Sequence, residues 1–188
     1  MPATTKIWTE AELLALPKDG FKRELVNGDI EMSPAGMFGH GDLITRLSAR
    51  LTYFVLQKKL GVTGDGQTGF WMKSGNLRCP DISFVSKARA KKMKQQTPRG
   101  FPRGSPDLVV EVLSPSETAT SVSAKIAEYF DNDTKLAWVI DPDKKTIAVY
   151  RSATSDKLLH SGDTLEGELI VPGFSISVDD VFAEPDLD

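Results

Sequence analysis

Apolar residues recur along this chain with two periods, one of strands and one of helices. In residues 107–114 nearly every position is apolar, with Leu108, Val110 and Val112 on one face and Val109, Glu111 and Leu113 on the other. That pattern predicts a strand in the middle of a sheet covered on both sides. Residues 136–140 predict a second buried strand, joined through Asp141-Pro142-Asp143-Lys144 to a third at 146–150. Leu43, Leu47, Leu51 and Phe54, with Ile44 and Val55 beside them, recur at helical spacing and predict a long helix after Gly39-His40-Gly41. Val122, Ile126, Tyr129 and Phe130 predict another, opened by Ser114-Pro115-Ser116-Glu117 as a capping box with proline at the first helical position.

The remaining elements are shorter. Thr9 and Glu12 form a capping-box pattern ahead of Leu13, Leu14 and Leu16, so a short helix is expected there. Asn27-Gly28 joins strands at 21–26 and 29–32 in a two-residue hairpin, which puts Lys22, Glu24 and Val26 on one face. Ser33-Pro34-Ala35-Gly36 breaks that pattern. Residues 61–69 are glycine-rich but lack the Gly-Lys-Ser/Thr ending of a phosphate loop, and predict a turn before a strand at 70–72. A strand at 81–85 follows Pro80, then a short helix to Gln95 and a loop rich in proline and glycine. From Leu158 the tail holds short β-like pieces and ends acidic.

At 188 residues, 40% hydrophobic and 26% charged, the chain has the composition of one ordinary globular domain. No run of about 18 apolar residues is present, so no membrane span is expected, and residues 1–8 lack the apolar core of a signal peptide. A single cysteine, Cys79, and two histidines, His40 and His160, leave no zinc-type cluster. Any metal would take oxygen ligands, which points to Mg2+ or Mn2+. A reducing, cytoplasmic setting fits best. The net charge of −3 hides an asymmetry: Lys87, Arg89, Lys91, Lys92, Lys94, Arg99 and Arg103 form a run with no acidic residue, while the rest carries 16 basic against 26 acidic residues. Such a segment suggests an anionic partner met at one place, or a solvated loop.

Glu111 is a carboxylate on an apolar strand, and left unpaired there it costs several kcal/mol. It needs a cation, a metal or hydrogen-bond donors. Asp81, 30 residues earlier at the head of its strand, can reach a neighbouring strand and share a hard cation with Glu111. Asp107 cannot, because four residues along one strand separate it from Glu111 by roughly 13 Å. It is expected to be a strand-edge or turn residue. Lys125 lies about 60° from Val122 on the helix wheel, on the shoulder of the apolar stripe. From there its ammonium can reach Glu111, to orient a water or stabilise phosphate charge, or simply to neutralise the buried carboxylate.

Pro80-Asp81 followed by Glu111-Val112-Leu113 resembles the PD-(D/E)XK nuclease superfamily. The wider run is similar to a large bacterial family of restriction-endonuclease-like proteins. It is carried by residues 24–28, 32–34, 40–41, 80–85, 106–116, Lys125, residues 138–142 and 172–174, in the family's order. The resemblance implies an α/β fold, a mixed β-sheet flanked by helices with extra N-terminal and C-terminal β-hairpins, and a Mg2+-type site at Asp81 and Glu111. The superfamily's lysine belongs two residues after the glutamate, where this chain has Leu113; Lys125 matches its relocation to the following helix. Glu24 matches an additional acidic position, and His40 a family position that is otherwise a helix-entry residue.

The expected activity is metal-dependent hydrolysis of phosphodiesters in nucleic acid, DNA foremost, with a catalytically inactive nucleic-acid-binding protein of the same fold as the alternative. A carboxylate-pair glycoside hydrolase leaves the basic segment and Lys125 without a part to play. Lys91, Lys92 and Lys94 are expected to grip the nucleic-acid backbone. Cutting both strands of a duplex with one site per chain favours a homodimer.

Overall fold

In a computed structural model of the chain, residues 7–17, 19, 21–33, 36–115, 117–184 and 186 are described. Residues 1–6, Pro34, Ala35 and Ser116, on which some of the sequence expectations fall, lie outside them. The elements in chain order are α1 (Glu10–Leu14), β1 (Lys22–Val26), β2 (Asp29–Ser33), α2 (Phe38–Lys58), β3 (Gly61–Asp65), β4 (Phe70–Trp71), β5 (Leu77–Arg78), β6 (Ile82–Ser86) and α3 (Lys87–Gln96). They continue with β7 (Leu108–Val112), α4 (Ala119–Asp131), β8 (Leu136–Asp141), β9 (Thr146–Tyr150), β10 (Ser155–Leu159), β11 (Thr164–Glu166), β12 (Ser175–Ser177) and α5 (Val178–Phe182).

Six strands form the main sheet in the order β10-β9-β8-β7-β6-β3. Only β7 and β8 run parallel, with α4 as the crossover between them; the other pairs are antiparallel, so the sheet is mixed. All five residues of β7 are buried, as its two-faced apolar run predicts. Leu108, Val110 and Val112 face Leu43, Leu47, Leu51 and Val55 of α2 and the C-terminal residues Val171, Phe174 and Val181. Val109 faces the other way, toward Met93 of α3 and Ile126 and Tyr129 of α4. Both sides of the central strand are therefore sealed by helices.

A second sheet, β2-β1-β5-β4, stands beside the first and packs on α1 through Leu13, Leu25 and Leu77. The Asn27-Gly28 turn has both residues at positive φ, 52° and 91°, the geometry a two-residue hairpin needs. The C-terminal hairpin pairs β11 with β12.

Three sequence expectations are corrected. Residues 61–65 are a strand rather than part of a turn. β3 is the edge of the main sheet, antiparallel to β6, and its glycines permit a close approach, since a Cβ at Gly61 would lie 2.1 Å from the Val85 carbonyl oxygen. The helix after β7 starts at Ala119, later than expected. Thr118 is its N-cap and forms the capping box with Ser121, while Glu117 accepts hydrogen bonds from the backbone and hydroxyl of Ser114 in the preceding turn. The tail contains a helix, α5, capped by Ser177, besides its β pieces.

Gly61→Ala tests the close approach of the edge strand. The added methyl must push β3 off β6, so unfolding in urea is expected to show a loss of about 1–3 kcal/mol, the usual range for overpacking.

Candidate active site

The β6–β7 register sets the site. Ile82 is paired with Val110, so Asp81, one residue before β6, stands at the level of Glu111. The backbone N–H of Val112 donates to Asp81 Oδ2 at 2.9 Å, which fixes that carboxylate against β7. Glu111 is 3% exposed and lies on the face of β7 covered by α4. Tyr129 Oη donates to its Oε1 at 2.7 Å, and Lys125 Nζ donates to its Oε2 at 2.9 Å. Lys125 and Tyr129 are four residues apart on α4, one turn, so both reach the same carboxylate.

The second sheet supplies the other side. Glu24, on β1, is buried. Its Oε1 accepts the backbone N–H of Cys79 at 2.6 Å, and its Oε2 lies 3.8 Å from Lys125 Nζ and 3.5 Å from Arg78 Nη1. Lys22, two residues earlier on the same strand face, donates from Nζ to Asp81 Oδ1 at 2.9 Å. Arg78 donates from Nε to Glu128 Oε2 at 2.6 Å, and Glu128 also accepts from Ser74 and Asn76. Glu128 thus ties the β4–β5 hairpin to the helix that carries Lys125. His40, in the first turn of α2, donates from Nε2 to the Val112 carbonyl oxygen at 3.0 Å.

Burial and charge pull these groups in different directions. Burial raises the pKa of Glu111 above the usual carboxylate range, outweighing the Lys125 ammonium. Asp81 is half-buried, which pushes its pKa up, but the Lys22 ammonium and the Val112 N–H hold it below the ordinary value. Lys125 would be depressed by burial alone; Glu111 and Glu24 more than offset this and keep it charged. Burial drives the Tyr129 hydroxyl up, so it remains a donor, and pushes the Cys79 thiol up to about 12, so it is no thiolate at neutral pH.

The structure brings Asp81, Glu111, Lys125 and Glu24 into one cluster. It does not bring Lys91, Lys92 and Lys94 there. They are exposed on α3, whose first turn is anchored where Asp107 accepts Arg89 and the Ser86 N–H. Asp107 is four residues from Glu111, about 13 Å along the strand, and stands at the strand edge directly before β7, one of the two places expected for it. Arg103 is also engaged, 5.0 Å over the Trp71 ring and 3.5 Å from Glu10. Sequence reasoning missed Lys22, Tyr129, Arg78 and Glu128. The first two had a signal, since Lys22 shares the strand face of Glu24 and Tyr129 lies one turn beyond Lys125. Arg78 and Glu128 had none, because only the docking of α4 against the β4–β5 hairpin joins them.

Comparison with known proteins places the chain in a family. Residues 10–179 match Uma2, a family described as putative restriction endonucleases. The chain belongs to the Uma2 family. A crystal structure of a putative nuclease belonging to DUF820, from Anabaena variabilis ATCC 29413, is similar over 93% of this chain and 97% of that one, at 22% identity and a TM-score of 0.78. At that identity the likeness is one of fold, the restriction-endonuclease-like mixed sheet flanked by helices. No curated protein matches the chain. Measured against the superfamily motif, this Uma2 chain has Leu113 in the apolar packing where the lysine is expected, and its ammonium reaches Glu111 from α4 instead.

A carboxylate whose folded pKa is raised favours the fold below its unfolded pKa and loses that contribution as pH rises through the folded value. Glu111→Gln removes the loss. In chelator at pH 7 the variant is expected to melt at a higher temperature than wild type, with the gain vanishing as pH falls below the ordinary carboxylate value of about 4.3. Differential scanning calorimetry across that range checks it.

Proposed function

We propose that this chain is a divalent-metal-dependent nuclease that hydrolyses phosphodiester bonds, with DNA as its substrate. The observation that carries this is the pairing of Asp81 with Glu111 across β6 and β7 while Lys125 contacts Glu111 at 2.9 Å. Membership of Uma2 and the fold of the Anabaena nuclease support it. Nucleases of the restriction-endonuclease-like class generally use divalent metals.

The residues present fit a hard cation. The cluster carries four carboxylates, Glu24, Asp81, Glu111 and Glu128, against three cations, Lys22, Arg78 and Lys125. Among the described residues no three His, Cys, Asp or Glu side chains are grouped to hold a metal. Two carboxylates suffice for Mg2+, or Mn2+ in its place, because such ions keep several waters and take further oxygens from substrate phosphates. Asp81 and Glu111 would hold it. A divalent cation so held would polarise a phosphoryl oxygen and lower the pKa of a bound water.

Hydrolysis forms a bond from water oxygen to phosphorus and breaks the bond from phosphorus to the leaving sugar oxygen. Lys125 offers its ammonium to the negative charge that gathers on the phosphate oxygens. Glu24, 3.8 Å from that ammonium, assists by holding it charged and in place beside Glu111. Lys91, Lys92 and Lys94, exposed and without an ion-pair partner among the described residues, are left to meet phosphates. The protein acts as a single domain over residues 1–188 in the cytoplasm, and as a homodimer when both strands are cut. No helix among the described residues is long and apolar enough to cross a membrane.

Plasmid DNA in Mg2+ or Mn2+ is expected to be nicked or linearised by the wild type and left intact by Asp81→Ala and Glu111→Ala, which also lose Mn2+ binding in calorimetry. Lys125→Met should bind Mn2+ yet cleave at least about 100-fold more slowly, the scale on which lost charge stabilisation is felt. DNA binding without any metal-dependent cleavage would identify the inactive binding protein instead.

The α3 lysines have their own test. Lys91→Ala, Lys92→Ala and Lys94→Ala combined should weaken DNA binding alike for all sequences. The variant should also flatten the slope of log affinity against log salt by up to about 3. A wild-type slope would make α3 a solvated surface.

A further inference from the structure

Two ammonium groups stand at the carboxylate cluster, and they are held differently. Lys125 lies between two carboxylates, 2.9 Å from Glu111 and 3.8 Å from Glu24, on a buried face of α4. Lys22 makes one direct contact, 2.9 Å to Asp81 Oδ1, and its side chain is 18% exposed against 12% for Lys125. It is the first residue of β1, paired with Ser33 at the open end of the hairpin. Asp81 Oδ2 is already committed to the backbone N–H of Val112. Oδ1 is the oxygen that Lys22 covers, and it has no other hydrogen-bond partner among the described residues.

We propose that Lys22 is a positioning residue for Asp81: its ammonium keeps the place of the divalent cation on Oδ1 in the metal-free protein and gives it up when the cation binds. The inference rests on the Asp81–Glu111 site proposed above. Without a cation between them, two carboxylates at the same level on adjacent strands repel each other, and Lys22 stills that repulsion on the Asp81 side. A divalent ion and an ammonium repel each other and cannot share one carboxylate oxygen at contact distance. The Lys22 side chain, at the rim and held by one bond, can move out. Lys125 can stay, because it holds Oε2 of Glu111 while Oε1 carries only the neutral Tyr129 hydroxyl. In this arrangement the chain exchanges a built-in monovalent charge for an external divalent one.

Lys22→Met keeps the stem and removes the charge. Titration calorimetry with Mn2+ is expected to show binding at least about tenfold tighter than wild type, the scale of one lost charge-assisted hydrogen bond. In chelator the variant should melt below wild type, because Asp81 has lost its partner. At saturating Mn2+ the two should melt together, because the metal has taken that partner's place. Lys22→Arg should restore the wild-type Mn2+ affinity. Equal Mn2+ affinity in wild type and Lys22→Met overturns the proposal, and so does a melting deficit that persists at saturating Mn2+. Asp81→Ala separates this from the reading beneath it. If wild type binds Mn2+ through Asp81 and Lys22→Met binds no more tightly, only the role of Lys22 falls. If neither protein binds Mn2+, the metal site falls with it.

Discussion

A charged carboxylate buried in the middle of a sheet is the constraint that shapes this molecule. Glu111 stands on a strand sealed on both faces, where an uncompensated charge costs several kcal/mol. Tyr129 and Lys125 each satisfy one of its oxygens, and both arrive on α4. Much of the helix placement follows from that need. α4 must dock over the Val109 face with the right turn toward Glu111. The links from Glu128 to Ser74, Asn76 and Arg78 fasten it to the neighbouring hairpin. Burial still raises the Glu111 pKa, so the compensation is incomplete. Keeping such a group is a cost in stability that packing alone does not explain.

The two sheets divide the work. The main sheet supplies Asp81 and Glu111 on adjacent strands, at a spacing fixed by hydrogen-bond register. The smaller one supplies Glu24 and Lys22 from one face of β1, whose two-residue turn sets which side chains point inward. Arg78 spans the gap, bound on one side to Glu128 and on the other to Glu24. Acid and base alternate through the cluster, so removing any one charge changes the balance felt by its neighbours.

Much of the fold was legible in the sequence because its longer elements have strong periods. Of the predicted α2 stripe, Leu43, Leu47 and Leu51 are buried and Phe54 partly so, with Val55 beside them buried too, and β7 is central. β3 was not legible: Gly61 and Gly64 read as turn residues because glycine marks turns and close backbone approach alike, and only the neighbour decides. The start of α4 was misjudged because two capping patterns, Ser114 with Glu117 and Thr118 with Ser121, follow each other, and the second carries the helix. At the site, alternation found Glu111 and the helix wheel found Lys125. Arg78 and Glu128 meet only when α4 docks against the β4–β5 hairpin, across 50 residues of chain, and no local pattern encodes that.

Placing the lysine on α4 instead of on β7 changes the order in which the cluster can assemble. A lysine two residues after Glu111 would be set beside it as soon as the strand formed. Here the pairing spans 14 residues and closes only when the crossover helix has docked on the finished sheet. A form of the chain with the sheet paired and α4 undocked would hold both acids and no ammonium from α4. Any later loosening of α4 returns the molecule to that state while the strands remain paired.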